Sequence, residues 1–287
     1  MKRVLRCAML SVLLGTAVFS CAAPKQNLRE MAVKGMDLIY HVKAGDSHTY
    51  RLRSHTVVNQ EVMGQKRTYT TDTKQVFTLK VLKVQGKNIQ YALKFDSLEV
   101  NSTAPMQTDL EAYKKALLNA DIRIFADRKG NASKVTGLEG LKKMSLASRT
   151  ESQLKNLLLT FPDGPKKVGD FWTKTEKNSL PSGPLDIGVT TKIKTTFAGV
   201  AACDAGSCLK FDMQGDLSLA GSGNQGGVDL MYEGSGTIRA EVLFDYATGT
   251  ILRMTSKQNI DGTVTIPSQA MDIPSTTRQK TTLVRIR

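Results

Sequence analysis

The feature that most constrains the fold is an alternation of apolar and polar side chains that recurs along the chain. Successive side chains of a β-strand point to opposite faces, so a period of two predicts strands with one buried face. The segments between such runs, for example 85–88 and 245–249, have the composition of hairpin turns. The sequence therefore predicts long antiparallel strands joined by hairpins. The clearest alternating runs are 77–81, 89–95, 209–213 and 238–244.

Helical spacing of apolar residues appears in two segments only. Residues 108–120 have an acidic start, and residues 138–161 repeat leucines at helical intervals and end before Pro162. The apolar end of the second segment predicts a buried helix face, or a lid over something apolar. For Trp172, the one tryptophan, we expect a place in the core, and a ligand contact is the alternative. The residues that this hypothesis places along an apolar ligand are Leu154, Leu157, Leu158, Phe161 and Trp172.

These patterns predict a β-dominated α+β fold. We expect a long, curved antiparallel sheet or half-barrel, with one or two helices packed on its concave face. Lys-x-Gly-Asp-x-x-Thr occurs at 43–49 and again at 167–173, which suggests two similar halves, although so short a motif also recurs by chance. The expected organisation is one continuous domain, with a first β-rich half and its helices at 36–160 and a second β-rich half at 161–287.

The N-terminus has the layout of an export signal. Residues 1–6 carry three positive charges, and the thirteen residues that follow are mostly apolar. A retained membrane-spanning helix is the alternative, but it needs about 20 apolar residues, which this stretch does not supply.

Cys21 defines the cleavage site that we expect. Residues 18–21, Val-Phe-Ser-Cys, resemble a bacterial lipobox, with an aliphatic residue three positions before the cysteine and a small one directly before it. The resemblance implies a signal peptide at 1–20, cleavage before Cys21, and acyl chains on its sulfur and its new amino group. Residues 21–35 would then be a tether, and Ala22 fits sorting to an outer membrane. Ordinary cleavage after Ala23 is the alternative.

The exported chain retains two further cysteines, Cys203 and Cys208. They enclose Asp-Ala-Gly-Ser, which has the composition of a turn. Close cysteines usually pair in an oxidising compartment, so we expect a disulfide at a hairpin tip. A redox site more often has the spacing C-x-x-C, and a zinc site needs two more ligands, which do not lie nearby in the sequence.

No motif points to catalysis. Residues 221–226 fit G-x-G-x-x-G, but strand-like residues follow instead of a helix, so we expect a hairpin loop there. His41, His48 and His55 are spaced by seven, which places neighbouring histidines on opposite faces of a strand. We therefore expect no catalytic residues, no metal and no cofactor.

The net charge of +14 suggests anionic neighbours. Three of these positive charges lie in the leader, which leaves +11 on residues 21–287. The basic residues alternate with apolar or hydroxyl residues, as on the solvated face of a strand. An aromatic content of 6% and the export signal argue against nucleic acid as the partner.

Residues 161–172 and 244–249 carry a resemblance to a known group. Their Phe-Pro-Asp…Val-Gly-Asp-x-Trp step and Phe-Asp-x-x-Thr-Gly hairpin are similar to those of an uncharacterised family of bacterial secreted lipoproteins. The resemblance spans most of the exported chain and implies no activity. The expected architecture is also similar to that of envelope lipoprotein carriers, which fold as a half-barrel with helices over an apolar hollow.

These observations predict a non-enzymatic envelope lipoprotein that binds an apolar or amphipathic ligand or a partner protein. Acyl chains on Cys21 would hold it at the outer membrane facing the periplasm, with a lipid or another envelope protein as its partner. The alternative is a structural or assembly lipoprotein with a solid core. A carrier predicts an apolar cavity of several hundred Å³, in the usual range of ligand pockets.

Overall fold

A computed structural model describes residues 28–104, 110–141, 147–182, 185–204 and 206–287. Eleven strands of these residues form one antiparallel sheet. The first five strands are β1 (Ser47–Val62), β2 (Gln65–Gln85), β3 (Asn88–Ser102), β4 (Ile122–Asp127) and β5 (Ala132–Thr136). The other six are β6 (Phe171–Ser182), β7 (Leu185–Cys203), β8 (Gly206–Gln225), β9 (Val228–Asp245), β10 (Thr250–Ile266) and β11 (Met271–Arg285).

The strand order is β5-β4-β3-β2-β1-β11-β10-β9-β8-β7-β6. The chain starts at the centre of the sheet and moves outward to β5. It then crosses to the opposite edge and returns from β6 to β11. The last strand pairs with the first, in a register that runs from Tyr50↔Arg285 to Gln60↔Ser275. The sheet thus contains two meanders, and the division of the chain between residues 160 and 161 stays a prediction.

The α+β prediction is wrong, because the helices of the described residues are too short and too few to form a layer. Helices α1 (Leu28–Lys34), α2 (Leu110–Leu118) and α3 (Ala147–Lys155) have seven, nine and nine residues, whereas β2 has 21. Two 3₁₀ turns, Glu139–Leu141 and Pro267–Gln269, complete the helical structure of the described residues. The protein is therefore a β-protein with one long antiparallel sheet.

The helix expected over 138–161 is interrupted for a reason of packing. Its residues form a 3₁₀ turn and α3, and the chain then leaves the helix at Asn156. Leu158, Leu159 and Phe161 follow in irregular chain and are all buried. Leucine favours a helix, but tertiary packing commonly overrides helix propensity, and here the apolar run is buried against the sheet in irregular chain.

The core lies against one end of one face of the sheet, which we call the inner face. Two irregular segments cover it: residues 35–43, which we call the N-terminal cover, and residues 156–170, which we call the crossover. The backbones of Met36 and Lys166 exchange two hydrogen bonds of 2.9 Å, which joins the two segments. The Tyr40 hydroxyl donates to the carbonyl of Leu159 at 3.0 Å.

Aromatic rings fill the space beneath these two segments. The Phe161 ring lies 5.6 Å from that of Tyr40, 5.6 Å from that of Phe211 and 5.2 Å from that of Phe244, measured between centroids. Since Phe211 belongs to β8 and Phe244 to β9, the crossover is fastened to the second meander. Leu117, Ile122 and Leu141 lie in the same continuous core.

The predicted disulfide is present. Cys203 at the end of β7 and Cys208 near the start of β8 are bonded, with a Cα–Cα distance of 6.0 Å. Cys21 lies outside the described residues. Of the glycine-rich residues 221–226, residues 221–225 end β8, and Gly226 and Gly227 form the turn that leads into β9. None of the helices in the described part of the chain is long and apolar enough to cross a membrane.

Candidate functional site

The central strands extend far beyond the core. On β9, for example, the buried core residues begin at Val242, whereas the strand begins at Val228, about 45 Å away at the rise of an extended strand. We call the inner-face positions of this extension the open inner face. On β1, β9 and β10 they are the even-numbered positions within 54–60, 230–240 and 256–264, respectively. On β2, β7, β8 and β11 they are the odd-numbered positions within 69–75, 185–193, 215–223 and 273–281, respectively.

Each of these positions is uncharged, and each is buried or half-buried. The neighbouring residues on the outer face include Lys257, Arg278 and Lys280, which are exposed. Most of the inner side chains are less exposed than their neighbours on the outer face. The strand sequences therefore sort charge to the outside and keep it off the open inner face.

One part of the open inner face is apolar. Tyr232 on β9 lies along the sheet over the neighbouring strand, where a Cβ at Gly262 would overlap its hydroxyl. Glycine at this position of β10 thus makes room for the tyrosine ring. We call this cluster the apolar patch. It contains Leu185, Ile187, Val189, Leu217 and Leu219, with Leu230, Tyr232, Ile238, Ile260 and Val264 packed against them.

The other part is lined by hydroxyl and amide groups. Gln279 Nε2 donates to Ser54 Oγ at 2.8 Å, and that Oγ lies 3.2 Å from Thr281 Oγ1. These bonds join β1 to β11 where the two meanders meet. We call this region the hydroxyl band. Its residues are Ser54, Thr56, Thr71, Thr73, Ser256, Gln258, Thr277, Gln279 and Thr281.

The apolar patch and the hydroxyl band together make the open inner face amphipathic without any ionic group. The apolar patch can receive hydrocarbon, and the adjoining hydroxyl band can exchange hydrogen bonds with a neutral polar group. A charged group placed here would lose hydration without gaining an ion pair, which is costly. The open inner face therefore suits an uncharged or weakly polar molecular surface.

A small cavity lies at the boundary between the core and the open inner face. Its volume is about 30 Å³, and most of its lining is apolar. This is room for one or two water molecules. This cavity is too small for the apolar site of several hundred Å³ that a carrier requires. A second depression of about 450 Å³, lined by residues that include His41, Lys43 and Arg128, is open and partly polar. The lining of the small cavity includes Tyr40, His48, Tyr50, Tyr91, Leu157 and Leu158.

Two polar atoms at this cavity are buried and have no hydrogen-bond partner: His48 Nε2 and the Tyr91 hydroxyl. Burial lowers the pKa of His48, and Arg285 lowers it further, while Asp46 and Asp245 act weakly in the other direction. Burial raises the pKa of Tyr91. Arg285 is held close by, since Nη1 lies 2.5 Å from Thr250 Oγ1 and 3.6 Å from Asp245 Oδ2.

His41 occupies a similar position in the N-terminal cover. Its ring meets that of Tyr246 edge-on at 4.6 Å, and its Nε2 is also buried without a partner. Burial, and secondly the charge of Arg128, lowers its pKa. The third histidine, His55, lies on the outer face with Nδ1 2.8 Å from Asp72 Oδ1. The three histidines therefore do not meet, and the described residues hold no group of three potential metal ligands.

The lowered pKa values of His41 and His48 predict that acidification destabilises the fold. An unfolded histidine has a pKa of about 6.5, so below that pH the unfolded chain takes up protons that the folded protein resists. The free energy of unfolding should be constant above about pH 7 and decrease towards pH 5. Both rings are partly solvated, so each should contribute less than the about 1.4 kcal/mol per pH unit of a fully shifted group.

Denaturant unfolding between pH 5 and pH 8 measures this slope. His41→Gln and His48→Gln should each reduce it, and the double variant should reduce it most. An unchanged slope in the double variant would assign the acid sensitivity to other groups.

The structure separates the five residues predicted to line a ligand. Leu157 and Leu158 line the small cavity. Leu154 and Phe161 are buried in the core, and Trp172 is half-buried with its Nε1 donating to the carbonyl of Thr160 at 2.9 Å. Sequence reasoning recognised that basic residues alternate with apolar or hydroxyl residues and attributed the pattern to a solvated strand face. It did not predict that the uncharged positions of seven strands form one continuous face.

No family model matches the chain, and no curated protein matches it. Similar solved structures include an exported protein with a YmcC-like fold from Bacteroides fragilis, 8% identical over 88% of this chain and 99% of that chain, with a TM-score of 0.25. OmpF of Salmonella typhi is 4% identical over 83% and 98% of the two chains, with a TM-score of 0.26. OccK5 of Pseudomonas aeruginosa is 8% identical over 84% and 99%, with a TM-score of 0.24. These TM-scores define no shared fold, and membership of the lipoprotein family stays a prediction.

Proposed function

We propose that the protein is a membrane-anchored envelope lipoprotein that binds an apolar or amphipathic molecule, or the corresponding part of a partner protein, on its open inner face. We further propose that the protein is not an enzyme and has no nucleic-acid partner. The observation that carries it is the sorting of charge, because the open inner face is free of charge across seven adjacent strands.

Half-buried apolar side chains such as Ile260 and Val264 gain free energy when a ligand removes the rest of their surface from water, about 25 cal/mol per Å² of apolar area. The hydroxyl band beside them supplies neutral donors and acceptors for the polar end of the same molecule. A surface with no binding role would more commonly carry charges on both faces of such exposed strand ends.

The anchor is proposed from the sequence around Cys21. Two or more acyl chains give stable attachment to a membrane, whereas one gives only marginal binding. The position of the anchor matters for the binding face, because the tether places the domain beside a source of lipid. The membrane that we propose is the outer membrane, on its periplasmic side.

A second candidate function, that of a structural or assembly lipoprotein with a solid core, is favoured by the packing beneath the crossover. The aromatic cluster around Phe161 is continuous, and the cavity next to it has a volume of only about 30 Å³. In this case the open inner face would carry no small molecule.

Mass spectrometry of the protein purified from its own membranes tests the proposal. The intact mass should show a chain that begins at Cys21 and carries acyl groups, and mild ionisation should retain a bound lipid or other amphipathic molecule. A chain cleaved after Ala23 would contradict the anchor. An acylated chain with no bound molecule would favour the structural alternative.

A matched pair of variants locates the bound molecule. Val264 lies on the open inner face and Thr263 lies next to it on the outer face; both are β-branched and half-buried. Val264→Lys should reduce the amount of bound molecule about ten-fold or more, because its charge would have to be desolvated in the complex. Thr263→Lys should leave it unchanged. Equal occupancy in the two variants would exclude the open inner face as the binding site.

A further inference from the structure

Three large apolar side chains are exposed in segments that adjoin one another near the start of β6. Val33 on α1 is 67% exposed, Val168 is 39% exposed and Phe171 is 59% exposed. The backbone N–H of Val168 donates to the carbonyl of Ala32, the neighbour of Val33, at 2.9 Å. Phe171 follows three residues later. We call these three residues the anchor-side surface.

Lysines flank the anchor-side surface. Lys194 Nζ lies 4.0 Å from the centroid of the Phe171 ring, and Lys167 is exposed next to Val168. The carboxylate of Asp170 lies between them in sequence, and its Oδ2 accepts the backbone N–H of Lys167 at 3.0 Å. Exposed apolar side chains with lysines around them match an anionic bilayer, in which hydrocarbon lies beneath negative headgroups.

The length of chain before α1 brings this surface close to the proposed anchor. Leu28 begins α1 and follows Cys21 by only seven residues. Even a fully extended chain of that length spans no more than about 25 Å. Acyl chains on Cys21 would therefore keep α1 near the headgroups, at a high effective concentration of lipid.

We propose that the anchor-side surface inserts into the interface of the membrane that holds Cys21, and so orients the sheet on it. Val33 and Phe171 enter the headgroup region, and Lys167 and Lys194 meet lipid phosphates. The hairpin between β1 and β2 then points away from the bilayer, since it lies at the other end of the strands. This inference rests on the proposed acylation of Cys21.

The experiment uses the acylated full-length product, reconstituted in vesicles of phosphatidylethanolamine and phosphatidylglycerol. Single cysteines replace Val33 or Phe171 and carry an environment-sensitive fluorophore. Met63→Cys is the matched control, because Met63 is 79% exposed in the turn between β1 and β2. The introduced thiol is the one that reacts, since Cys203 and Cys208 are bonded to each other and Cys21 is acylated.

The fluorophore at positions 33 and 171 should emit at shorter wavelength, and lipids with a spin label near the headgroup should quench it about two-fold or more. The fluorophore at position 63 should show neither effect. Unquenched emission at position 171 in an acylated protein would overturn this inference alone. A shift to shorter wavelength without quenching would also overturn it, because a protein surface would then cover the site. An unacylated Cys21 would overturn the anchor and this inference together.

Discussion

Phe161→Ala is expected to lower the free energy of unfolding by about 3–5 kcal/mol. The ring is 3% exposed and touches aromatic rings of the N-terminal cover and of two strands. Its loss would leave a cavity that no single neighbour can fill, because Tyr40 and Phe244 are themselves held edge-on at 5.3 Å. Denaturant unfolding followed by circular dichroism measures the change.

Phe171→Ala is the matched control for that variant. It truncates a phenylalanine ten residues later in the chain that is 59% exposed, so it should lower the free energy of unfolding by less than about 1 kcal/mol. If the two variants lost similar stability, the crossover would not be fastened to the sheet through Phe161.

Gly130→Ala should lower the free energy of unfolding by about 3 kcal/mol, nearly as much as Phe161→Ala. Gly130 has φ +82°, where an alanine is strained, and a Cβ at this position would overlap the carbonyl oxygen of Leu159 and lie 2.8 Å from Tyr40 Cε2. The turn between β4 and β5 is confined between the N-terminal cover and the crossover. Tyr40 N–H donates to the carbonyl of Arg128 at 2.8 Å, and Phe161 N–H donates to that of Lys129 at 2.7 Å.

Gly86→Ala separates the cost of backbone strain from the cost of steric overlap. Gly86 lies in the turn between β2 and β3 with φ +56°, and a Cβ there would meet no atom within 4 Å. This variant carries the backbone strain without the overlap, so it should cost only about 1 kcal/mol. Thermal unfolding of the two variants gives the comparison. A Gly130→Ala variant no less stable than Gly86→Ala would mean that the cover and the crossover move apart easily.

The strands could be predicted from local pattern because a half-buried strand repeats its environment every second residue. The alternation at 89–95 is β3, and the turn composition at 245–249 is the connection between β9 and β10. The disulfide could be predicted for a similar reason, since Cys203 and Cys208 are joined by a short turn. Each of these features depends on residues close together in the sequence.

Features that depend on distant residues left no local signal. The leucines of 138–161 fit a helix, and only the sheet beneath them shows why Leu159 and Phe161 are buried in irregular chain instead. The pairing of β1 with β11 has no signature within either strand. The open inner face was hidden for another reason: threonine and glutamine count as polar beside lysine, so 275–281 shows no alternation of hydropathy although it alternates in charge.

The meeting of β1 and β11 at the centre of the sheet has a consequence for how the chain becomes a folded protein. Synthesis proceeds from the N-terminus, so β1 exists long before its partner does, and its backbone donors and acceptors on that side stay unpaired in the meantime. Contacts between the two ends of a chain form late and slowly. The final strand, Met271–Arg285, is therefore the element that turns two separate meanders into one sheet.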